Sequence, residues 1–145
     1  MKIVTILILF PAFIALGIFS LNGVQDKEVL KKSSNLTGEQ LYAKYCLACH
    51  QADGNGVRNL FPPLAGNEKI TGSPKDPITI VLFGLTGPIE VNGKEYNQVM
   101  PAQDYLTDKQ IADVLTFIRS TWGNKASSVK PEDVGKIRKA GKPPE

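Results

Sequence analysis

Both cysteines of this 145-residue chain and its single histidine fall within five consecutive positions, Cys46-Leu47-Ala48-Cys49-His50. Whatever the rest of the chain folds into must serve that cluster. A structural disulfide would suit an exported chain, but it leaves the adjacent histidine without a task. A thioredoxin-like dithiol needs a preceding strand in a βαβ setting, and the sequence offers neither. Zinc would find two thiolates and an imidazole but no obvious fourth ligand. The remaining reading uses all three side chains, because Cys-x-x-Cys-His is the pattern of covalent haem attachment. Two thiols separated by two residues can each add to one of the two vinyl groups on a haem edge. His50 is then held beneath the ring with an imidazole nitrogen at the iron.

The sixth iron ligand must come from elsewhere. Met1 belongs to the amino-terminal apolar segment, so Met100, followed by Pro101, is the one thioether of the folded part. Methionine usually fills gaps in a core. Here no second histidine exists, and a thioether is the natural strong-field partner for low-spin iron. His/Met ligation also raises the reduction potential. The 49 residues between His50 and Met100 suffice to fold round a haem and return to its far face. The expected metal ligands are His50 and Met100.

Local patterns place these residues on helices and loops. Thr37-Gly38-Glu39-Gln40 reads as a capping box, opening a helix with Leu41, Tyr42 and Tyr45 on its apolar side and running directly into Cys46. Gly, Asn and Asp, then Pro62 and Pro63, predict a loop after His50. Asp76-Pro77 reads as an N-cap and first helical residue, with Ile78, Val81, Leu82 and Leu85 on one face. Asn92-Gly93 is a two-residue hairpin signal between very short strands. Thr107 and Gln110 form a second capping box. Ile111, Val114, Leu115, Ile118 and Trp122 follow on one face, with Gly123 as the residue just past the helix end. The last candidate is Pro131 to Arg138, ending near Gly141. The expectation is an all-α fold of about three to four helices with long loops and one very short hairpin.

Charge narrows the partners. Between Leu36 and Asn124 there are seven basic and nine acidic residues, a net −2, although the whole chain is +3. A nucleic-acid binder would concentrate Lys and Arg on its folded domain, so no nucleic-acid partner is expected. The amino terminus has one Lys followed by an apolar run from Ile3 to Leu21, which is an export signal. It is either cleaved, the preferred reading, or kept as a membrane tether, since the run nearly reaches the roughly 20 residues that span a bilayer. The chain divides into a leader or anchor (1–23), a linker (24–35), a folded domain (36–124) and a basic tail (125–145). The domain is expected outside the inner membrane, in the bacterial periplasm, soluble or anchored.

Cys46 to His50, the Phe61 to Gly66 segment, Val99-Met100-Pro101 and a final helix ending in Trp122 together resemble a class I, single-haem bacterial cytochrome c over roughly Leu36 to Asn124. The resemblance implies a mostly helical shell round one covalent haem c, attached through Cys46 and Cys49. Its first and last helices would pack crosswise, setting Leu41 and Tyr45 against Leu115, Ile118 and Trp122. It implies that the Pro62 carbonyl accepts the His50 N–H, fixing its tautomer, and that Leu64 lines the haem. Tyr96 and Asn97 would lie near the haem. Arg58 would either pair with a propionate or be a plain surface residue. The stretch from Gly84 to Val99 and the tail after Asn124 exceed a minimal member, and similar elaborations occur in cytochrome domains paired with nitrite reductases, oxidases or quinoprotein dehydrogenases.

The resemblance implies an electron carrier rather than an enzyme, monomeric, meeting oxidase, reductase or dehydrogenase partners at a haem edge near Cys46 and Cys49. A haem subunit held in a dehydrogenase or reductase complex is the alternative. A peroxidase or gas sensor requires Met100 not to bind and finds no distal acid–base group. A disulfide-stapled module without haem ranks below these.

Overall fold

The local rules act first. Thr37 N–H donates to Gln40 Oε1 (2.9 Å) and Gln40 N–H donates back to Thr37 Oγ1 (3.3 Å), so two otherwise orphaned helix-start donors are satisfied. The helix they open, α1, spans Gly38–Tyr45, and a single turn, α2, follows at Leu47–His50. These elements belong to a computed structural model that describes residues 36–143; the leader, anchor and linker readings for 1–23 and 24–35 lie outside the described residues.

A one-turn helix α3 (Glu68–Thr71) and α4 (Lys75–Phe83) come next. The expected start at Asp76-Pro77 is corrected: Pro74 is the N-cap, and Ser73 Oγ accepts from Lys75 N–H at 3.3 Å. Pro77 therefore sits within the first turn, where a helix has no intrahelical use for its N–H. Leu85 lies beyond the helix end. The hairpin forms as expected, β1 (Ile89–Val91) against β2 (Lys94–Tyr96), with Asn92 and Gly93 at φ 51° and 71°, the geometry of a type I′ turn.

The second capping box opens α5 (Asp108–Ser120), and α6 spans Pro131–Ala140 with Gly141 as its C-cap. Helix α5 stops before Trp122, a second correction: Thr121 is the C-cap, and Trp122 itself takes φ 53°. Gly123 is thus two residues past the cap, not the first residue outside the helix. Among the described residues there are four helices of eight residues or more, two single turns and one two-stranded ribbon.

The core lies between α1 and α5 and extends under α4 and α6. Leu41, Ile78, Ile111 and Val134 are completely buried, each worth roughly 2 kcal/mol by burial of its side chain. The Trp122 ring packs tilted against Tyr42, centroids 4.9 Å apart, while the Tyr45 ring meets Tyr105 at 5.9 Å. Arg119, 1% exposed, closes the other end. Its guanidinium donates to the carbonyls of Ile70, Gly72 and Ser127 and so ties α3 and the chain after α5 to α5 itself.

Candidate haem site

Helix α1 delivers Cys46 to the wall of an apolar cavity, and the turn α2 brings Cys49 and His50 to the same wall. Gln51 takes φ 62° directly after His50, a costly conformation for a residue with a Cβ. Four bonds hold Gln51 there, one of them from Gly54 N–H to its carbonyl (3.2 Å). Its N–H donates to Leu47 O (2.9 Å), its side-chain amide donates to Ala48 O (3.1 Å), and Tyr42 Oη donates to its carbonyl (2.6 Å). The strain ends α2 abruptly and sets the direction in which the loop leaves His50.

His50 Nδ1 lies 3.0 Å from Pro62 O. Only a protonated Nδ1 can donate to a carbonyl, so this bond selects the tautomer that leaves Nε2 with its lone pair. Burial lowers the imidazole pKa from its ordinary value, and the bond to Pro62 opposes that shift only in part. The ring is neutral at pH 7, the form a metal requires. Cys46 and Cys49 are both free. Burial, with the Cys49 sulfur alongside, pushes the Cys46 thiol up to about 11, so it is a thiol at neutral pH.

Met100 reaches the cavity from a loop. Its N–H donates to Leu85 O (3.0 Å) and Leu85 N–H donates to Met100 O (2.9 Å), a two-residue bridge between the end of α4 and the loop. Atom-free space in the cavity amounts to about 960 Å³ with its mouth open to solvent included. A second lobe shares Cys46, Cys49, His50 and Met100 and adds Leu41, Tyr45 and Leu106. The walls are apolar, with Leu64, Ile70, Val81, Leu85, Ile89 and Val91 prominent, and the exposed Lys69 and Gln98 are among the few polar residues. Two thiols, a neutral imidazole with one committed nitrogen, and a thioether on the walls of one apolar cleft are a donor set that fits a haem. Among the described residues no group of three or more His, Cys, Asp or Glu could hold a bare metal ion.

The structure brings Cys46, Cys49, His50, Pro62, Leu64 and Met100 onto one cavity, with Tyr96 beside them. It does not bring Asn97, which is exposed and off the lining, nor Arg58, which is likewise exposed. Asn97 follows the last residue of β2, and its side chain is exposed. Sequence reasoning missed the Leu85 bridge, the walls from β1, and Asn124. The last is buried and donates to Leu64 O (3.0 Å) and Ile118 O (2.8 Å) while accepting from Gly66 N–H (2.9 Å), so it fixes the Leu64 wall to the end of α5. None of these had a local signal.

The family described as Cytochrome c matches residues 36–122. Cytochrome c-552 of Thermus thermophilus is 42% identical over 110 residues, covering 70% of this chain and 83% of that protein. The cytochrome c subunit of alcohol dehydrogenase (quinone) from Gluconacetobacter polyoxogenes is 40% identical over 114 residues, 77% of this chain and 24% of that subunit. The gluconate 2-dehydrogenase cytochrome c subunit of Pantoea cypripedii is 36% identical over 126 residues, 84% of this chain and 28% of that subunit. The chain thus spans about a quarter of the length of the dehydrogenase subunits it matches.

Proposed function

The chain belongs to the cytochrome c family, and from that premise we propose that it passes single electrons between redox proteins outside the cytoplasm, with His50 and Met100 as axial ligands and Cys46 and Cys49 as attachment thiols. As the family implies, it carries one covalently bound haem c and serves electron transfer. The haem, when bound, supplies a reversible one-electron iron couple. The residues of the chain decide how that couple behaves.

The observation that carries the reading is the meeting of two thiols, a neutral imidazole and a thioether in one apolar cavity. Pro62 O orients His50 and raises its basicity through Nδ1–H. The Leu85 bridge holds Met100 by its backbone, so the thioether keeps its place without help from substrate or partner. The apolar walls exclude water and disfavour additional positive charge, which raises the reduction potential. His50 and Met100 would both hold the iron from the chain, leaving no position for a substrate, so the reading is of a carrier rather than an enzyme. Its export, its monomeric state and the choice of 36–124 as the haem-bearing unit with 125–145 as an added segment belong to the same proposal.

A second reading is favoured by the names of the relatives. Two of those named are cytochrome c subunits of dehydrogenases, so the partner that supplies electrons would be a dehydrogenase, with this chain bound to it or visiting it. A single experiment tests the carrier reading: potentiometric titration of the exported, purified protein, followed by carbon monoxide added to the reduced form. One reversible one-electron wave and no carbon monoxide adduct support it. Immediate adduct formation would overturn it in favour of an open-site haem protein.

A further inference from the structure

Helix α6 lies beyond the residues that match the family, yet it is seated on the body of the protein. Val134 is completely buried, and α6 packs on both α5 and α4. Its one arginine reaches back to the chain just after Met100. Arg138 Nη1 donates to Asp104 O (2.7 Å), Nη2 donates to Leu106 O (2.7 Å), and Nε donates to Asp108 Oδ1 (2.8 Å). Three donors of one planar group thus take three acceptors within five consecutive residues, a match that only a guanidinium makes.

That stretch is the return path from Met100 to α5. Its upstream end is fixed to α4 by the Leu85 bridge and by Gln103 N–H donating to Val81 O (2.8 Å). Leu106, 4% exposed, lines the cavity lobe that Met100 also lines. Downstream the loop enters α5 through the Thr107–Gln110 capping box, and between these two ends Arg138 is the donor that the described hydrogen bonds give to the Asp104 and Leu106 carbonyls.

We propose that Arg138 is a positioning residue for Met100: by clamping residues 104–108 from α6, it limits how often the Met100 loop swings away from the iron. The proposal rests on the reading that Met100 is the sixth ligand. A loop that opens more often offers the vacant state to a competitor more often, and the competitor's apparent affinity rises in proportion.

The test is imidazole titration of the oxidised, haem-loaded full chain, followed by loss of the weak charge-transfer band that reports methionine sulfur on ferric iron. Arg138→Ala is expected to bind imidazole about tenfold tighter than the unaltered protein, equivalent to a loss of about 1.4 kcal/mol in loop closure. Arg138→Lys, which keeps the charge but not the fork, should fall between them, and it carries the comparison if the alanine variant does not load haem. Lys136→Ala, on the same helix and exposed, should match the unaltered protein. Unchanged imidazole affinity in both Arg138 variants, even with a lower melting temperature, would overturn the proposal and leave α6 a purely structural brace. Absence of the methionine band before any substitution would instead overturn the Met100 reading, and the proposal with it.

Discussion

Met100 and Leu85 exchange both backbone hydrogen bonds, at 3.0 and 2.9 Å, and the residue between Leu85 and the end of α4 is what lets them meet. Gly84 sits at φ 75°, and a Cβ there would stand 2.7 Å from Met100 O. Gly84→Ala therefore incurs left-handed strain and a backbone clash together, and is expected to cost about 2 kcal/mol or more. Chemical denaturation of the haem-loaded protein measures the loss. The methionine band should weaken at the same time, because the clash falls on the carbonyl of the ligand residue itself.

The proximal side has an equivalent point of weakness. Gly56 takes φ 65°, its N–H donates to His50 O (3.0 Å), and a Cβ would stand 2.3 Å from Phe61 O and 2.6 Å from Pro62 O. Gly56→Ala pushes on the very carbonyl that accepts the His50 proton. Stability should fall by about 2–3 kcal/mol. The sign of the electronic effect follows from the bond: a strong Nδ1–H donation makes the imidazole more basic and favours ferric iron, so weakening it should raise the reduction potential. Potentiometry decides, and an unchanged or lower potential would count against Pro62 as a tuning residue.

Arg119 makes a prediction about stability alone. It is buried, and its hydrogen-bond partners are neutral: the carbonyls of Ile70, Gly72 and Ser127, and Ser127 Oγ. Arg119→Ala removes the donors and leaves buried carbonyls unpaired, with a cavity besides. A loss of about 3–5 kcal/mol is expected, which corresponds to a melting temperature lower by roughly 12–20 °C for a domain of this size. Arg119→Lys should recover less than half, since one ammonium cannot reach acceptors on both sides. Differential scanning calorimetry gives both numbers.

What the sequence allowed to be read, and what it hid, divides along chain distance. The capping boxes at Thr37 and Thr107 and the Asn92-Gly93 turn are decided within four residues, so their signals are local and complete. Cys46, Cys49 and His50 are a local motif as well. Met100 was legible by elimination, being the one thioether left, whereas the Leu85 bridge that holds it was not. Asn124 reaches Leu64 across 60 positions and Arg119 reaches Ile70 across 49. Asparagine and arginine read locally as surface residues, and only tertiary packing assigns them buried acceptors. The helix start at Pro74 was missed for another reason. Ser73-Pro74 and Asp76-Pro77 are both credible starts, and a proline within the first turn does not oppose the earlier one. Helix α6 showed too few apolar positions, Val134 and Ile137, to reveal that it docks.

The most direct measurement is the visible spectrum of the exported, purified protein, oxidised and reduced, beside that of Met100→Ala. Covalent low-spin haem is expected, with a sharp reduced α-band and a methionine charge-transfer band in the oxidised protein that vanishes in Met100→Ala while the haem stays attached. A high-spin spectrum with no methionine band, or a band that survives in Met100→Ala, would contradict ligation by His50 and Met100.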